Sequence, residues 1–539
     1  MLHSLKYFGE EPSKKCLHLH QLKTESQVPN TPPHEWCLWH FDHVDSLIQS
    51  LFFLGAQANQ NWKLASTPKT ADNRFDLSNQ TEDNLGSGYR RARLAWYNID
   101  NIFYRDGGQG VPTNITAQDR RNHYVRRVIP QEIFKNQDRE VILVPQPLFE
   151  LAFFPQERGM YNYNPGLTTE GLLPNPRQNY GGVTRAITTE VDFDRTNIEY
   201  VEFWMMDPFL PGENGKVLDG IFNQNNTTGG KLFLNLGDIS EDVIKDGSHA
   251  FENGLPADGN PAETTANEWG RITRQQFLLP AFDNSGTARV NQDVGFDGLK
   301  NEDEATYFKG RFLDRLSISP AAKNALTQDV SADGFQYYLD SKFDQANTKI
   351  LERYKKFNGN EGNTPVSADQ NLPYTPSGTN NPDNEDLNTD NTINELENYY
   401  EYEIELRPGQ LKVGNKYIVD QVTHTEGGEQ VNWYLFRIPV RQPDRVQGDI
   451  SGFKSIRWMR TYLTDFQQPV VLRMAEFRMV GSQWRSFQES LFERGFFELP
   501  EPDNSNLTVD VVNIEQNAQG SETSSPYVLP PGIQRDRDN

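Results

Sequence analysis

The stretch that decides the fold contains two apolar runs, NIEYVEFWMMDPFL (197–210) and GGKLFLNLGDI (229–239), joined by a loop rich in Asn and Gly. The first run is almost continuously apolar up to Pro208, which is typical of a buried β-strand. The second run alternates leucines with Phe233 and Asn235, and this period of two is that of a strand in a sandwich. The two runs are therefore predicted to form two strands of one sheet.

Short apolar runs of the same kind recur along the chain and favour a mainly β fold. Before residue 182 they are LAWYNIDNIFYR (94–105), HYVRRVIPQEIF (123–134) and VILVPQPLFELAFFPQERGMYNYN (141–164). After it they are VTRAITTEVDF (183–193), YYEYEIEL (399–406), YIVDQVT (417–423), VNWYLFRIPV (431–440), SIRWMRTYL (455–463) and VVLRMAEFRMV (470–480). A polar tract before residue 399 holds two helix-like segments, Glu304–Leu316 and Phe335–Phe357.

These patterns divide the chain into four segments. An atypical N-terminal segment, 1–61, lacks the basic-then-apolar pattern of a signal peptide. A strand-bearing region, 62–181, follows it. A β-sandwich is predicted over 182–485, with an inserted helical and loop segment at 282–395. Residues 486–539 are predicted to be extended, because they are polar and rich in Pro.

Composition narrows the classes of partner. The formal net charge is −23 and the mean hydropathy is −0.73. Because proteins that bind nucleic acid neutralise its phosphates with Lys and Arg, we expect no nucleic-acid partner. With only Cys16 and Cys37, the chain has no disulfide framework. The most apolar run, at 51–56, is too short to cross a bilayer as a helix.

An acidic loop at residues 386–397 has the ligand spacing of an EF-hand-like calcium site. The residues at positions 1, 3, 5, 9 and 12 of this loop are Asp386, Asn388, Asp390, Asn394 and Glu397. Position 6, usually Gly, is Asn391, and Asn tolerates the left-handed conformation. The alternative interpretation is a solvated acidic linker that matches by composition.

A second acidic loop, at residues 293–304, matches the same pattern less well. Its candidate ligands, at positions 1, 5, 9 and 12, are Asp293, Asp297, Asn301 and Glu304. Position 6 is Gly298, but Gly295 leaves position 3 without a side-chain ligand. The solvated linker is the alternative here too. The sequence establishes no cofactor, and calcium is the candidate that these two loops raise.

Two clusters of Cys and His near the N-terminus contain residue types that bind zinc. They are Cys16, His18 and His20, and Cys37, His40 and His43. Their spacing matches no zinc finger, so a polar terminal segment is the favoured interpretation.

Catalytic motifs are not found in a suitable context, so we expect that the chain is not an enzyme. Glu199 and Glu202 could supply the two carboxylates of a glycosidase, but residues three apart on a strand point to opposite faces. The aromatic residues near the end of the chain are expected to pack in the core rather than to form a sugar-binding platform. They are Tyr399, Tyr400, Tyr402, Trp433, Tyr434, Trp458, Tyr462 and Trp484.

Seven long segments resemble the SprA (Sov) family of gliding-motility and type IX secretion proteins, which form an outer-membrane translocon in the Bacteroidota. The segments are LAWYNIDNIFYR (94–105), FFPQERGMYNYNP (153–165), YGGVTRAITTEVDFDRTNIEYVEFWMMDPF (180–209), KLFLNLGDISEDVIKDGSHAFENGLP (231–256), DVGFDGLKNEDE (293–304), PDNEDLNTDNTINELENYYEYEIEL (382–406) and FKSIRWMRTYLTDFQQPVVLRMAEFRMVGSQWR (453–485). Together they are spread along the chain between residues 94 and 485.

The resemblance implies a structural part of the translocon, located at the outer membrane or cell surface and without enzyme activity. Its implied partners are secreted cargo with C-terminal sorting domains, a PorV-like barrel subunit and a plug protein. The implied fold is a jelly-roll-like, galactose-binding-like β-sandwich, with further strands that in the full-length family belong to a giant outer-membrane β-barrel. Because the chain is far shorter than a complete member, the resemblance also indicates a fragment of a longer protein.

An alternative function is a cell-surface carbohydrate-binding or calcium-dependent adhesion module. Glycan binding by the sandwich distinguishes the two hypotheses, because only the alternative requires it.

Overall fold

The computed structural model describes residues 58–135, 145–275, 280–285, 287–366 and 376–481, which are mainly β. Their strands are β1 (Lys63–Leu64), β2 (Ala92–Tyr97), β3 (Phe149–Arg158), β4 (Tyr180–Ala186), β5 (Ile198–Met206), β6 (Gly230–Asp238), β7 (Thr264–Ala266), β8 (Arg271–Thr273), β9 (Asn398–Leu406), β10 (Ile418–Glu426), β11 (Glu429–Pro439), β12 (Arg445–Gln447), β13 (Trp458–Thr464) and β14 (Val470–Gly481). Their α-helices are α1 (Ala288–Gln292), α2 (Asn301–Tyr307), α3 (Pro320–Leu326), α4 (Ser341–Gln345) and α5 (Ile350–Arg353). Short 3-10 turns lie at Asn59–Asn61, Ser78–Gln80, Asn84–Gly88, Asn101–Tyr104, Asp119–Arg121, Pro130–Glu132, Pro176–Gln178, Glu252–Gly254, Pro261–Glu263 and Leu313–Arg315.

Two six-stranded antiparallel sheets pack into a sandwich. Sheet 1 has the strand order β1-β4-β13-β6-β9-β12, and sheet 2 has the order β10-β11-β5-β14-β3-β2. The chain passes alternately between the sheets from β3 to β6, which is the winding of a jelly roll. Strands β7 and β8 pair with each other outside the sandwich. The predicted mainly β, jelly-roll-like sandwich is confirmed.

The two strands from which the sequence analysis started lie in different sheets. β5 is hydrogen-bonded to β11 and β14 in sheet 2, whereas β6 is hydrogen-bonded to β9 and β13 in sheet 1. The prediction that they share one sheet is therefore wrong. The connection 207–229 crosses the sandwich, and the side-chain period of a strand does not identify its partner strands.

The alternation predicted for β6 is confirmed. Its leucines belong to the core between the sheets, while Phe233 and Asn235 lie on the outer face of sheet 1. In β5, Phe203 and Met205 face the core between the sheets, and Trp204 belongs to a second core on the outer face of sheet 2. β5 is thus buried on both faces, which explains its continuous apolar run.

A layer of irregular chain covers the outer face of sheet 2. Residues 99–134 and 338–357 supply most of it, and their apolar side chains form the second core with outward-facing residues of the sheet. Tyr354 stacks on Tyr97 of β2, with ring centroids 4.5 Å apart. The Asn358 side chain bonds both the N–H and the C=O of Trp96, at 2.9 and 2.8 Å, and so covers the free edge of β2.

The predicted insertion lies between two neighbouring strands of sheet 1. Residues 239–397 connect β6 to β9, and the predicted segment 282–395 falls within them. The prediction of two long helices is wrong. Residues 304–316 hold the end of α2 and a 3-10 turn, and residues 335–357 hold only α4 and α5. Asn347 separates the last two, because its φ of 55° is outside the helical region.

Residues 123–134, predicted as a strand, form turns instead. Pro130 begins a 3-10 turn and has no N–H to donate to a neighbouring strand. The Glu132 carboxylate folds back and accepts two hydrogen bonds from the Arg126 guanidinium, at 2.7 and 2.6 Å. This local ion pair holds the segment as part of the layer on sheet 2.

The boundary drawn between 62–181 and 182–485 falls inside β4, and each region supplies strands to both sheets. The Cys and His clusters of the N-terminal segment, residues 141–144 and the segment 486–539 lie outside the described residues. Within the described ranges, the helices are too short and too polar to cross a membrane.

The stability of the layer on sheet 2 depends on a buried ion pair. Arg473 of β14 bonds Glu150 of β3 at 2.7 Å and donates to the carbonyls of His123 and Arg126. We predict that Arg473→Met lowers the free energy of unfolding by about 3–5 kcal/mol, because it leaves a buried carboxylate unpaired. Urea unfolding followed by circular dichroism measures this change.

The matched control is Arg74→Met, which breaks an exposed ion pair with Asp72. It should change the free energy of unfolding by less than about 1 kcal/mol. Equal losses for the two variants would contradict the role given to Arg473.

Candidate metal centre

The first acidic loop, residues 386–397, is closed by its own hydrogen bonds. The Asp386 carboxylate accepts the backbone N–H groups of Asp390 and Asn391, at 3.2 and 2.7 Å. The Asn388 side chain accepts the same N–H of Asp390 at 2.9 Å. Asn391 has a φ of 64°, so it adopts the left-handed conformation that the sequence allowed. Short polar side chains cap the turns of this loop.

The remaining two candidates of this loop bond elsewhere. Both carboxylate oxygens of Glu397 accept from the buried Arg460 guanidinium, at 2.8 Å each. The Asn394 amide donates to the carbonyl of Ile239 at 2.8 Å. In the part of the chain that the structure describes, the clusters of acidic and His ligand atoms include no residue of this loop. The structure therefore does not gather its five candidate ligands at one point.

Glu241 holds the first loop against sheet 1. Its carboxylate accepts the backbone N–H groups of Leu387 and Asn394, at 2.8 and 3.2 Å, and the indole N–H of Trp458 at 3.2 Å. Burial raises the pKa of Glu241 to about 7, from an ordinary value of 4.5. Between these pH values the folded protein keeps a proton that the unfolded chain has lost.

We therefore predict that Glu241 makes the protein less stable as the pH rises from 4.5 to about 7. The decrease due to this group should be at most about 3 kcal/mol, and Glu241→Gln should remove it. Urea unfolding of both proteins at pH 5 and pH 8 measures the difference. If the two proteins lose the same stability between these pH values, Glu241 is not the titrating group.

The second acidic loop, residues 293–304, is largely buried, with Glu302 and Asp303 exposed, so the solvated-linker interpretation is wrong for most of it. Asp293 turns away from the rest, because its carboxylate accepts the N–H groups of Asn363 and Thr364, at 3.1 and 2.9 Å. Asp297 and Glu304 are 1% and 0% exposed. They lie, with Asn301, beside two acidic residues from later in the chain.

We call this group the carboxylate cluster: Glu304, Asp333 and Glu361, with Asp297 and Asn301 beside them. One carboxylate oxygen from each of Glu304, Asp333 and Glu361 lies within 4.8 Å of the others. The N–H of Asn301 at the start of α2 donates to Glu361 at 2.9 Å. The Ser331 hydroxyl donates to Asp297, and the Ser331 N–H donates to Glu304 at 3.0 Å.

Backbone contacts bring Asp333 and Glu361 to the loop. The N–H of Glu361 donates to the carbonyl of Asp333 at 3.1 Å, and Glu361 also forms an isolated bridge with Val294. Gly295 has a φ of 74°, and a Cβ at this position would lie 2.3 Å from Oδ2 of Asp333. Asp333 therefore fills the place where the loop lacks a side-chain ligand at position 3.

Several oxygens of the cluster accept no hydrogen bond. Among the described residues they are Oδ1 of Asn301, Oε1 of Glu304, both carboxylate oxygens of Asp333 and Oε2 of Glu361. Burial raises the pKa of Asp333 well above its usual range, and repulsion from Asp297, Glu304 and Glu361 raises it further. Burial also raises the pKa of Glu361 to about 8. Buried acceptors without donors each cost about 1–3 kcal/mol, so this arrangement calls for protons or a cation.

A second group of metal-ligand type, formed by Glu132, His424 and Glu426, is less suited to a cation. The Glu132 carboxylate is already paired with Arg126. His424 and Glu426 lie on the exposed strand β10 and form a pair 3.5 Å apart. Side chains of the protein, Arg126 above all, therefore already balance the negative charge of this group, so a metal ion is not required there.

Other candidates from the sequence have structural roles. Glu202 is paired with Arg437, whereas Glu199 accepts from the side chain of Asn197. Their carboxylates thus have different partners. The aromatic residues of the last strands are buried, as predicted, from Tyr399 to Tyr462. Trp484 lies outside the described residues.

The fit of Asp333 against Gly295 generates a stability prediction. Gly295→Ala should lower the free energy of unfolding by more than about 2 kcal/mol, because it adds a steric clash to a left-handed backbone. Gly409 has a φ of 72°, and a Cβ added there would meet open space, so Gly409→Ala should cost only about 1 kcal/mol. Thermal unfolding compares the two. Equal losses would show that Asp333 does not constrain position 295.

Comparison with protein families gives a match over the later part of the chain. Residues 311–539 match the family SprA_N, described as motility related/secretion protein. No curated protein matches the chain.

Proposed function

We propose that this chain is a structural part of the type IX secretion outer-membrane translocon, because residues 311–539 match the family of motility related/secretion proteins. In this role it supports protein export to the cell surface and gliding motility, is located at the outer membrane or cell surface, and catalyses no reaction. The family match carries this proposal, since its description names both motility and secretion. The resembling segments between residues 94 and 485 support it.

The exposed edge of sheet 2 is the surface that best suits a protein partner. β10 is the terminal strand of this sheet in the described part of the chain, and Val419 on it is 43% exposed. An edge strand of this length can accept an extended segment of another chain by backbone pairing. β12, at the edge of sheet 1, covers three residues, and its Arg445 pairs with Glu401 at 2.7 Å. We propose that β10 is the docking edge for secreted cargo with a C-terminal sorting domain.

Export by cells that encode this chain tests the function. Deletion of its coding sequence should abolish surface delivery of a reporter with a C-terminal sorting domain, and it should also abolish spreading on agar. A wild-type copy should restore both. Normal export and spreading in the deletion strain would overturn the proposal.

A single substitution tests the docking edge. Val419→Lys places a charge on β10, and we predict that it reduces reporter export several-fold, because a charged edge resists strand addition. The control is Val446→Lys on β12, where the replaced side chain is 54% exposed. It should leave export unchanged. Both variants should keep the wild-type melting temperature, and equal export by both would contradict a docking role for β10.

The alternative function, a carbohydrate-binding or calcium-dependent adhesion module, has one observation in its favour. A cleft of about 500 Å³ opens beside sheet 1, with Arg90, Arg177, Lys231 and Asp465 in its lining. Its lining residues include no aromatic side chain, whereas sugars commonly stack on aromatic rings. Glycan-array binding by the full chain, lost in Arg177→Ala, would favour this alternative.

A further inference from the structure

We propose that the carboxylate cluster binds one calcium ion. The ligands are side-chain oxygens of Asn301, Glu304, Asp333 and Glu361, and Asp297 lies next to them. The inference concerns a site that the family match does not assign, and it stands independently of the secretion role.

In two carboxylates of the cluster, one oxygen accepts backbone hydrogen bonds and the other oxygen has no hydrogen-bond partner. Oε2 of Glu304 accepts the N–H groups of Val330 and Ser331, at 2.6 and 3.0 Å, while its Oε1 has no donor. Oε1 of Glu361 accepts the N–H of Asn301, while its Oε2 has no donor. One oxygen of each carboxylate is thus oriented by the backbone, and the other is available. Outer hydrogen bonds orient metal ligands in this way.

Asp333 is the strongest evidence for a cation. Its side chain is 0% exposed, and neither of its carboxylate oxygens accepts a hydrogen bond of normal length, although the Tyr161 hydroxyl lies beside them. It lies against Gly295 and within ligand distance of Glu304 and Glu361. A fully buried carboxylate with two free oxygens is stable only when a proton or a cation compensates its charge.

The positive charge closest to the cluster comes from the buried Arg158 guanidinium, which interacts with Glu304 through space without forming an ion pair. Within the described ranges, the ion pairs do not include Asp297, Glu304, Asp333 or Glu361. The nearby Lys356 is paired with Asp329 at 2.7 Å. The Arg158 guanidinium donates to the carbonyls of Asn162 and Val330. Protons could neutralise single carboxylates, whereas one divalent cation can bind the three carboxylate oxygens that lie within 4.8 Å of one another.

The donor set favours calcium over other divalent ions. All available ligand atoms are oxygens. Zinc prefers nitrogen and sulfur ligands, so this donor set does not favour zinc. Calcium accepts six to eight oxygens at about 2.3–2.6 Å in irregular arrangements. Magnesium requires a regular octahedron and usually keeps several waters. Five protein oxygens from three chain segments, completed by water, match calcium.

A bound ion would fasten the insertion to the sandwich. The loop that carries Asp297 also carries Phe296, which stacks on Tyr161 with ring centroids 5.9 Å apart. Phe308, just after α2, stacks on Tyr163 at 4.2 Å. Both tyrosines follow β3. The cation would therefore hold together three segments of the insertion at the end of a strand of sheet 2.

Calcium titration of the full chain tests the proposal. Isothermal titration of EDTA-treated protein with calcium should show one site. Thermal unfolding should shift upward by several degrees in calcium relative to EDTA. Asp333→Asn should remove the shift and weaken binding at least about 100-fold. The control Asp390→Asn, in the first acidic loop, should behave as wild type.

A further arm distinguishes loss of a ligand from loss of the fold. In EDTA, Asp333→Asn replaces a carboxyl group that burial and its acidic neighbours destabilise, so the melting temperature should equal or exceed that of the wild type. Three results would overturn the proposal: an unchanged wild-type melting temperature in calcium, a retained shift in Asp333→Asn, or a shift lost in Asp390→Asn. None of them bears on reporter export, so this proposal and the proposed function fail separately.

Discussion

Burial of sheet 2 on both faces is the constraint on which the rest of the structure depends. A sheet covered on one side only can carry solvated polar residues on the other, but here Glu150 and Arg473 project into the second core. Each must find a partner there, and the carbonyls of His123 and Arg126 complete the set. The layer on sheet 2 has little regular structure of its own. It is positioned instead by its hydrogen bonds to polar side chains of the sheet.

The fold class was predictable because the spacing of apolar residues along a strand shows which of its faces are buried. The alternation in β6 and the continuous apolar run in β5 both describe which faces are covered, and both descriptions hold. Strand partners are decided by contacts far apart in sequence, so placing β5 and β6 in one sheet was wrong. Residues 335–357 were predicted as one helix because their apolar spacing is helical, but Asn347 and tertiary packing divide them.

The candidate site was predictable in part. Asp297, Asn301 and Glu304 belong to one short loop, so their spacing in sequence predicts that their side-chain oxygens lie close together. In the structure these three residues are neighbours. Asp333 and Glu361 come from separate segments, and the local feature that they share is a Gly directly after each of them. The first loop has better spacing, yet its carboxylates bond its own backbone and Arg460, which spacing does not reveal.

The strand order has a consequence for the time course of folding. β14 lies between β3 and β5, and β13 lies between β4 and β6, so both sheets have a late strand near their centre. A chain that emerges from its N-terminus exposes the edges of β3 and β5 until residues 470–481 arrive. Such non-local pairing is slow, and open edges are prone to aggregation meanwhile. A chaperone that shields strand edges would protect the chain from aggregation during this interval, whichever compartment the chain folds in.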